Sequence, residues 1–268
     1  MFSQGASATV KRLLATATLF SSTLIFVSLA HADAFRWPQP GGPGTPVVLS
    51  YSFSNLLDPW FLGALSEAEI RASTAEAFQL WSRYAPLTFI ERSDSGPAAA
   101  DQDYPANRHP DIRIGYHPIG DDAVLAHAYL PWDTERSGLA GDIHFNATSA
   151  FAWSVGGGFP TIDFLEVITH EIGHTVGVGH ILYADAIMQP YYYYRFRGPG
   201  TAYLLAPDIL ALRSLYGSGV GAVYPMPEPS TMLLVGTGLV AAFVRHANRR
   251  RAALKASAFF ACYVRLPS

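Results

Sequence analysis

Cysteine is almost absent. The single one, Cys262, lies beyond the last apolar run, so no disulfide can form within residues 33–226, and any staple there must come from packing or from metal ions. Lysine is nearly absent too, with only Lys11 and Lys255, each near one end. Between Asp33 and Met226, ten arginines face twenty aspartates and glutamates, a formal charge of −10, whereas the whole chain carries only −3. That acidity argues against nucleic acid as a partner, since phosphate recognition needs a basic face, and it favours bound cations. A phosphate loop is also missing. Gly156-Gly157-Gly158 is not followed by lysine in the P-loop pattern and reads as a flexible joint. There is no internal repeat.

The basic charge sits in the two end segments. Lys11 and Arg12 precede an apolar run, Leu13 to Leu29, and then Ala30-His31-Ala32. A basic n-region, an apolar h-region and a small-x-small site make residues 1–32 a signal peptide, cleaved after Ala32 or, as second choice, after Ala34. The alternative is an uncleaved anchor. At the other end, Pro227-Glu228-Pro229 leads into a second apolar run, Met232 to Val244, followed by Arg245, Arg249, Arg250 and Arg251. The run is short for a bilayer span, and its basic flank fits a stop on the cytoplasmic side.

Between these ends the pattern reads as an α+β domain. Residues 33–46 form a loose Pro/Gly lead-in, and 47–53 read as a strand. Ser66 with Glu69 makes a capping box for a helix whose Ile70, Ala77, Leu80, Trp81 and Tyr84 recur at helical spacing, limited by Pro86. Strands follow at 87–91, 111–116, 124–130 and 141–145, with a surface loop over 93–110. Asp163 with Glu166 caps a further helix, whose Leu165, Ile168, Ile172 and Val176 give it a buried side. A last helix runs from about 206 to 216 and ends at Gly217.

The chemistry concentrates in residues 170–180, His-Glu-Ile-Gly-His-Thr-Val-Gly-Val-Gly-His, followed by Ala186-Ile187-Met188. On a helix, His170 and His174 project from one face. Gly177 can take the positive φ that ends the helix and lets His180 swing back as a third ligand. Three protein ligands leave one position of a tetrahedral zinc open, the catalytic rather than the structural arrangement. Glu171 lies beside the first ligand, where it can act as general base, and Met188 belongs to an apolar turn beneath the metal. This spacing with a Met-turn is the metzincin signature. The edge around Val124 to Ala128, including Leu125 and Ala126, can accept an extended peptide as an added strand.

Over roughly residues 47–217 the chain resembles the matrixin, or matrix metalloproteinase, family. Besides the zinc motif, the likeness is carried by Ala75-Glu76-Ala77-Phe78-Gln79-Leu80-Trp81-Ser82, Pro86-Leu87-Thr88-Phe89, Leu125-Ala126-His127-Ala128, Gly141-Asp142-Ile143-His144-Phe145, and Asp208-Ile209 with Leu215-Tyr216-Gly217. The resemblance implies a mixed twisted sheet of about five strands with three helices and a zinc cleft at the edge strand. It implies a zinc endopeptidase acting on peptide or protein substrates, with Pro190 and Tyr192 walling the pocket for the side chain after the scissile bond. Tyr193 and Tyr194 are equally compatible with ordinary packing. It further implies a second, structural zinc on His127 and His144, completed by His117 and Asp121 or Asp122. His117 and Asp121 are spaced differently from the family's pattern. Asn146 and Ser149 replace acids that bind Ca2+ in the family, so calcium is not expected to be held in the usual way. Only Asp208 remains of the family's paired aspartates, and Ile181 stands after the third histidine. No cysteine within 33–226 could serve as a thiolate switch.

Residues 218–251 resemble the PEP-CTERM sorting signal of Gram-negative bacteria. That implies an exported protein, transiently anchored in the inner membrane, processed at Pro227-Glu228-Pro229 by an exosortase-like enzyme, and delivered to the surface or medium. Residues 252–268 extend beyond the usual end of such signals. Two rivals to the peptidase reading are a non-catalytic peptide-binding or scaffold protein on the same fold, and a zinc hydrolase of other substrates. The retained Glu171 speaks against the first, and the edge strand beside the metal against the second.

Overall fold

The computed structural model describes residues 35–58, 65–105, 109–131, 138–148 and 152–226. The end segments read as signal peptide and sorting signal lie outside the described residues. Among those described, no helix is long and apolar enough to cross a membrane.

The described residues form eight strands and three helices, in the order β1 (Val47–Phe53), α1 (Glu67–Ser82), β2 (Leu87–Glu91), β3 (Ile112–His117), β4 (Ala126–Ala128), β5 (Ile143–Asn146), β6 (Trp153–Ser154), β7 (Ile162–Asp163), α2 (Phe164–Thr175), α3 (Ala206–Tyr216) and β8 (Val223–Tyr224). The main sheet has six strands in the order β4-β5-β3-β1-β2-β8, and β6 pairs with β7 in a separate ribbon. Every pairing is parallel except β4 with β5, where His127 stands opposite His144. The sheet therefore has one strand more than the five expected, because β8 adds beside β2.

Parallel strands covered by helices lose their in/out contrast. Ile112 and Ile114 are fully buried on one face of β3, yet Arg113 between them is only 1% exposed. That charge is tolerated because Asp94 pairs with it through two hydrogen bonds, Nε to Oδ2 at 2.8 Å and Nη2 to Oδ1 at 2.9 Å. The apolar side of α1 (Ile70, Ala77, Phe78, Trp81) meets Leu87 and Phe89 of the sheet and the buried face of α2 (Leu165, Ile168, Ile172) in one core. Ser66 caps α1 in a complete capping box with Glu69, and Gly217 ends α3 at φ 76°.

Two expectations need correction. From residue 35 on, the lead-in is neither loose nor extended. Its backbone turns, and Trp37 donates its indole N–H to Thr175 O at 2.8 Å while its backbone N–H bonds Tyr216 Oη at 3.0 Å. Gln39 Nε2 reaches both Thr45 O and Tyr216 O. The segment thus covers the C-terminal end of α2, where helix carbonyls lack intrahelical partners. The strand expected over 124–130 shrinks to Ala126–Ala128, because Asn146 gathers the backbone before it into a turn, donating to Asp121 O and Val124 O.

Candidate metal centres

Helix α2 begins at Asp163, whose Oδ1 accepts the Leu165 N–H at 2.9 Å. The apolar spacing that buries Leu165, Ile168 and Ile172 turns His170 and His174 away from the core. Gly177 follows at φ 88°, a conformation that favours glycine, and the chain doubles back to bring in His180. One ring nitrogen from each of His170, His174 and His180 falls within 4.8 Å of the others. The second nitrogens of two rings are already engaged, His170 Nδ1 with Ile187 O and His174 Nδ1 with Val178 O, each at 2.8 Å. Those carbonyls hold a proton on Nδ1 and leave the Nε2 lone pairs converging. Burial pushes His170 down to about 4 and His174 to about 3, so both rings are neutral ligands at ordinary pH.

This donor set fits zinc. His174 Nε2 and His180 Nε2 are 3.2 Å apart, near the ~3.3 Å edge of a tetrahedron with Zn–N bonds of about 2.0–2.1 Å. Beside it, Glu171 is 5% exposed, and its Oε2 is buried without a hydrogen-bond partner among the described residues. Burial raises this carboxyl to about 8. A buried carboxyl without a partner is costly, and a metal-bound water at the three imidazoles would supply one.

The floor is held by one buried residue. Asp208, in the first turn of α3, accepts Ile187 N–H at 3.0 Å and Met188 N–H at 3.1 Å, and also bonds Leu205 N–H. Met188 is fully buried beneath the histidines. It packs on Gly173, where a Cβ would stand 2.2 Å from its sulfur. Only glycine in the helix lets the turn come that close.

A second cluster lies between the sheet and the loop before β3. His127 and His144 face each other across β4 and β5, and His117 ends β3. His117 Nε2 is 3.1 Å from His144 Nδ1. The fourth member is not Asp121 but Asp101. Its Oδ1 lies 3.2 Å from His117 Nε2, 3.2 Å from His127 Nε2 and 3.3 Å from His144 Nδ1. These separations again match tetrahedral edges, and four protein donors make a closed, structural type of site. Burial, then the neighbouring His127 and His117, pushes His144 down to about 4.

Asp121 is excluded by its own turn. It is exposed, its carboxylate accepts the Ala123 N–H at 2.9 Å, and Asn146 holds its carbonyl; Asp122 is likewise exposed. Asn146 is saturated, since its Oδ1 also accepts Ile119 N–H, Thr148 N–H and the Thr148 hydroxyl. Asp101 escapes a linear reading because it sits in the Ala/Pro/Asp-rich loop read only as surface. That loop is fixed at its start by Asp94 on Arg113 and at its end by the Tyr104 hydroxyl on Asp142.

Leu125 and Ala126 lie half-buried at the β4 edge, Pro190 is exposed, and Tyr192 is half-buried. The Tyr192 hydroxyl accepts the Asp163 N–H at 2.8 Å, which pins the segment after the Met-turn to the start of α2. Glu166 does not close a capping box with Asp163. Its carboxylate turns instead to the backbone of residues 193–196.

A helix bearing two histidines and a glutamate, a glycine turn carrying a third histidine, and a methionine turn behind them define a metzincin-class centre. Residues 45–217 match the matrixin family model, and the chain belongs to that family. Residues 227–251 match the PEP-CTERM protein-sorting motif. Stromelysin-3 of Xenopus laevis is 32% identical over 195 residues, covering 73% of this chain and 36% of that protein. Human stromelysin-3 is 33% identical over 182 residues, 68% of this chain and 33% of that protein. Human neutrophil collagenase is 31% identical over 202 residues, covering 72% and 39%. The chain thus spans about a third of the length of these relatives.

Proposed function

We propose that this chain is a zinc-dependent endopeptidase acting on extracellular or cell-surface proteins. The observation that carries it is the convergence of His170, His174 and His180 beside the unpartnered carboxylate of Glu171. The matrixin family and relatives named as metalloproteinases and collagenases agree with it. When held by the three imidazoles, zinc supplies Lewis acidity and brings the pKa of water toward neutrality. Glu171 takes the proton from the attacking water and delivers it to the leaving amine. The substrate lies extended along β4 as an added strand, past Leu125 and Ala126, so that backbone hydrogen bonds orient the scissile bond. Pro190 and Tyr192 wall the pocket for the following side chain. Asp101, His117, His127 and His144 hold a second zinc that ties the loop before β3 to the sheet.

For placement, the signal peptide and the sorting motif support export from a Gram-negative cell, transient anchoring in the inner membrane through residues 232–244, and processing by an exosortase-like enzyme. The test of the activity is Glu171→Ala. It should keep the zinc and lose peptide hydrolysis by ~10²–10⁴. A wild type that binds no zinc, or a variant that turns over undiminished, would overturn the assignment.

A further inference from the structure

The first turn of α2 does more than start a helix. Glu166 lies one turn before His170, on the same face, and is only 5% exposed. No cation pairs with its carboxylate among the described residues. Instead it receives backbone N–H groups from the segment after the Met-turn: Tyr193 on Oε1 at 3.2 Å, and Arg195 and Phe196 on Oε2, the latter at 3.0 Å. Within this cradle sits Tyr194 at φ 55°, the one non-glycine residue with positive φ among the described residues. Such backbone costs free energy and persists where its surroundings over-determine it. Three charge-assisted hydrogen bonds to one carboxylate are that over-determination. The twist at Tyr194 lays its ring against Tyr192, centroids 4.5 Å apart, and within 6.2 Å of Phe159. Tyr192 is in turn tied to Asp163 N–H.

We propose that Glu166 is a positioning residue for the substrate pocket. Through the three N–H bonds it fixes the 190–196 wall in register with His170, and so sets which side chain fits after the scissile bond without touching the substrate. The wall's function rests on the peptidase reading above; the hydrogen-bond cradle does not. Burial raises the Glu166 pKa and the three backbone N–H groups oppose that rise, as expected of a carboxylate kept inside by backbone donors.

The test compares Glu166→Ala and Glu166→Gln with wild type in the full chain. Glutamine keeps an oxygen for two of the donors and meets the third with its amide N–H, so it should be intermediate. Two readouts are taken. In amide exchange, protection at Tyr193, Arg195 and Phe196 should fall by about tenfold or more in the alanine variant, with α2 amides and zinc content unchanged. In peptide hydrolysis, the ratio of kcat/KM between substrates with a small and a large side chain after the scissile bond should shift by about tenfold, mainly through KM, with Glu166→Gln restoring part of it. Unchanged exchange at 193–196 overturns the cradle. Lost protection with an unchanged substrate ratio reduces Glu166 to a merely structural role and overturns the proposal. If wild type cleaves no peptide, the peptidase reading fails and the pocket assignment with it, while exchange still decides whether Glu166 holds the segment.

Discussion

Removing Asp101 is the sharpest test of the second centre, because the residue is exposed and its loss leaves the core untouched. In Asp101→Ala, three imidazoles lose the one anionic member of their set, and Tyr129 loses an acceptor at 2.8 Å. Substitutions merely adjacent to metal ligands weaken binding ~10–100-fold, so loss of the ligand itself should cost about 100-fold or more. At zinc concentrations that saturate the wild-type site, a 100-fold weaker site withdraws about 2.7 kcal/mol of linked stability. For a domain of this size that lowers Tm by roughly 5–11 °C. The assay is thermal melting in a zinc buffer, paired with elemental analysis of the dialysed protein. Wild type should carry two zincs per chain and Asp101→Ala one. The control is Asp121→Ala, which loses only a local bond to Ala123 N–H and should match wild type in both measurements. Two retained zincs with an unchanged melt in Asp101→Ala, or loss of zinc in Asp121→Ala, would refute the assignment.

Asp208→Ala should destabilise the domain by roughly 3 kcal/mol or more, since it orphans the buried N–H groups of Ile187 and Met188 together; urea unfolding reads the loss. Gly177→Ala combines an unfavourable positive φ with a Cβ only 1.8 Å from Phe35 O, so the lead-in or the turn must shift. A competition titration with a chelator should then find zinc at His180 weakened by about tenfold, from ~1–2 kcal/mol of backbone strain relieved by moving the turn.

Where the sequence was legible, a local rule and the tertiary fold agreed. Ser66 with Glu69, Gly217 after α3, and the apolar side of α2 each follow from spacing alone. The convergence of His170, His174 and His180 was legible for the same reason, since helix period and a single glycine turn fix it. Asp101 was not, because it lies sixteen residues before His117 in a loop with several other acids. Which of them turns inward depends on long-range bonds at the two ends of the loop, Arg113 to Asp94 and Tyr104 to Asp142. The position of Glu166 also suits a capping box, but long-range backbone donors win over local ones there. Two-residue strands such as β6 and β8 are too short to show any alternation; their partners make them strands.

Strand β8 has a spatial consequence. It occupies the edge of the sheet opposite β4, about 24 Å away at roughly 4.8 Å per strand step. The backbone N–H of Met226 is clasped there by Glu91 Oε2 at 2.9 Å, one residue before the sorting motif begins. The chain therefore reaches the start of the sorting motif from the β8 edge of the sheet, five strand steps from β4.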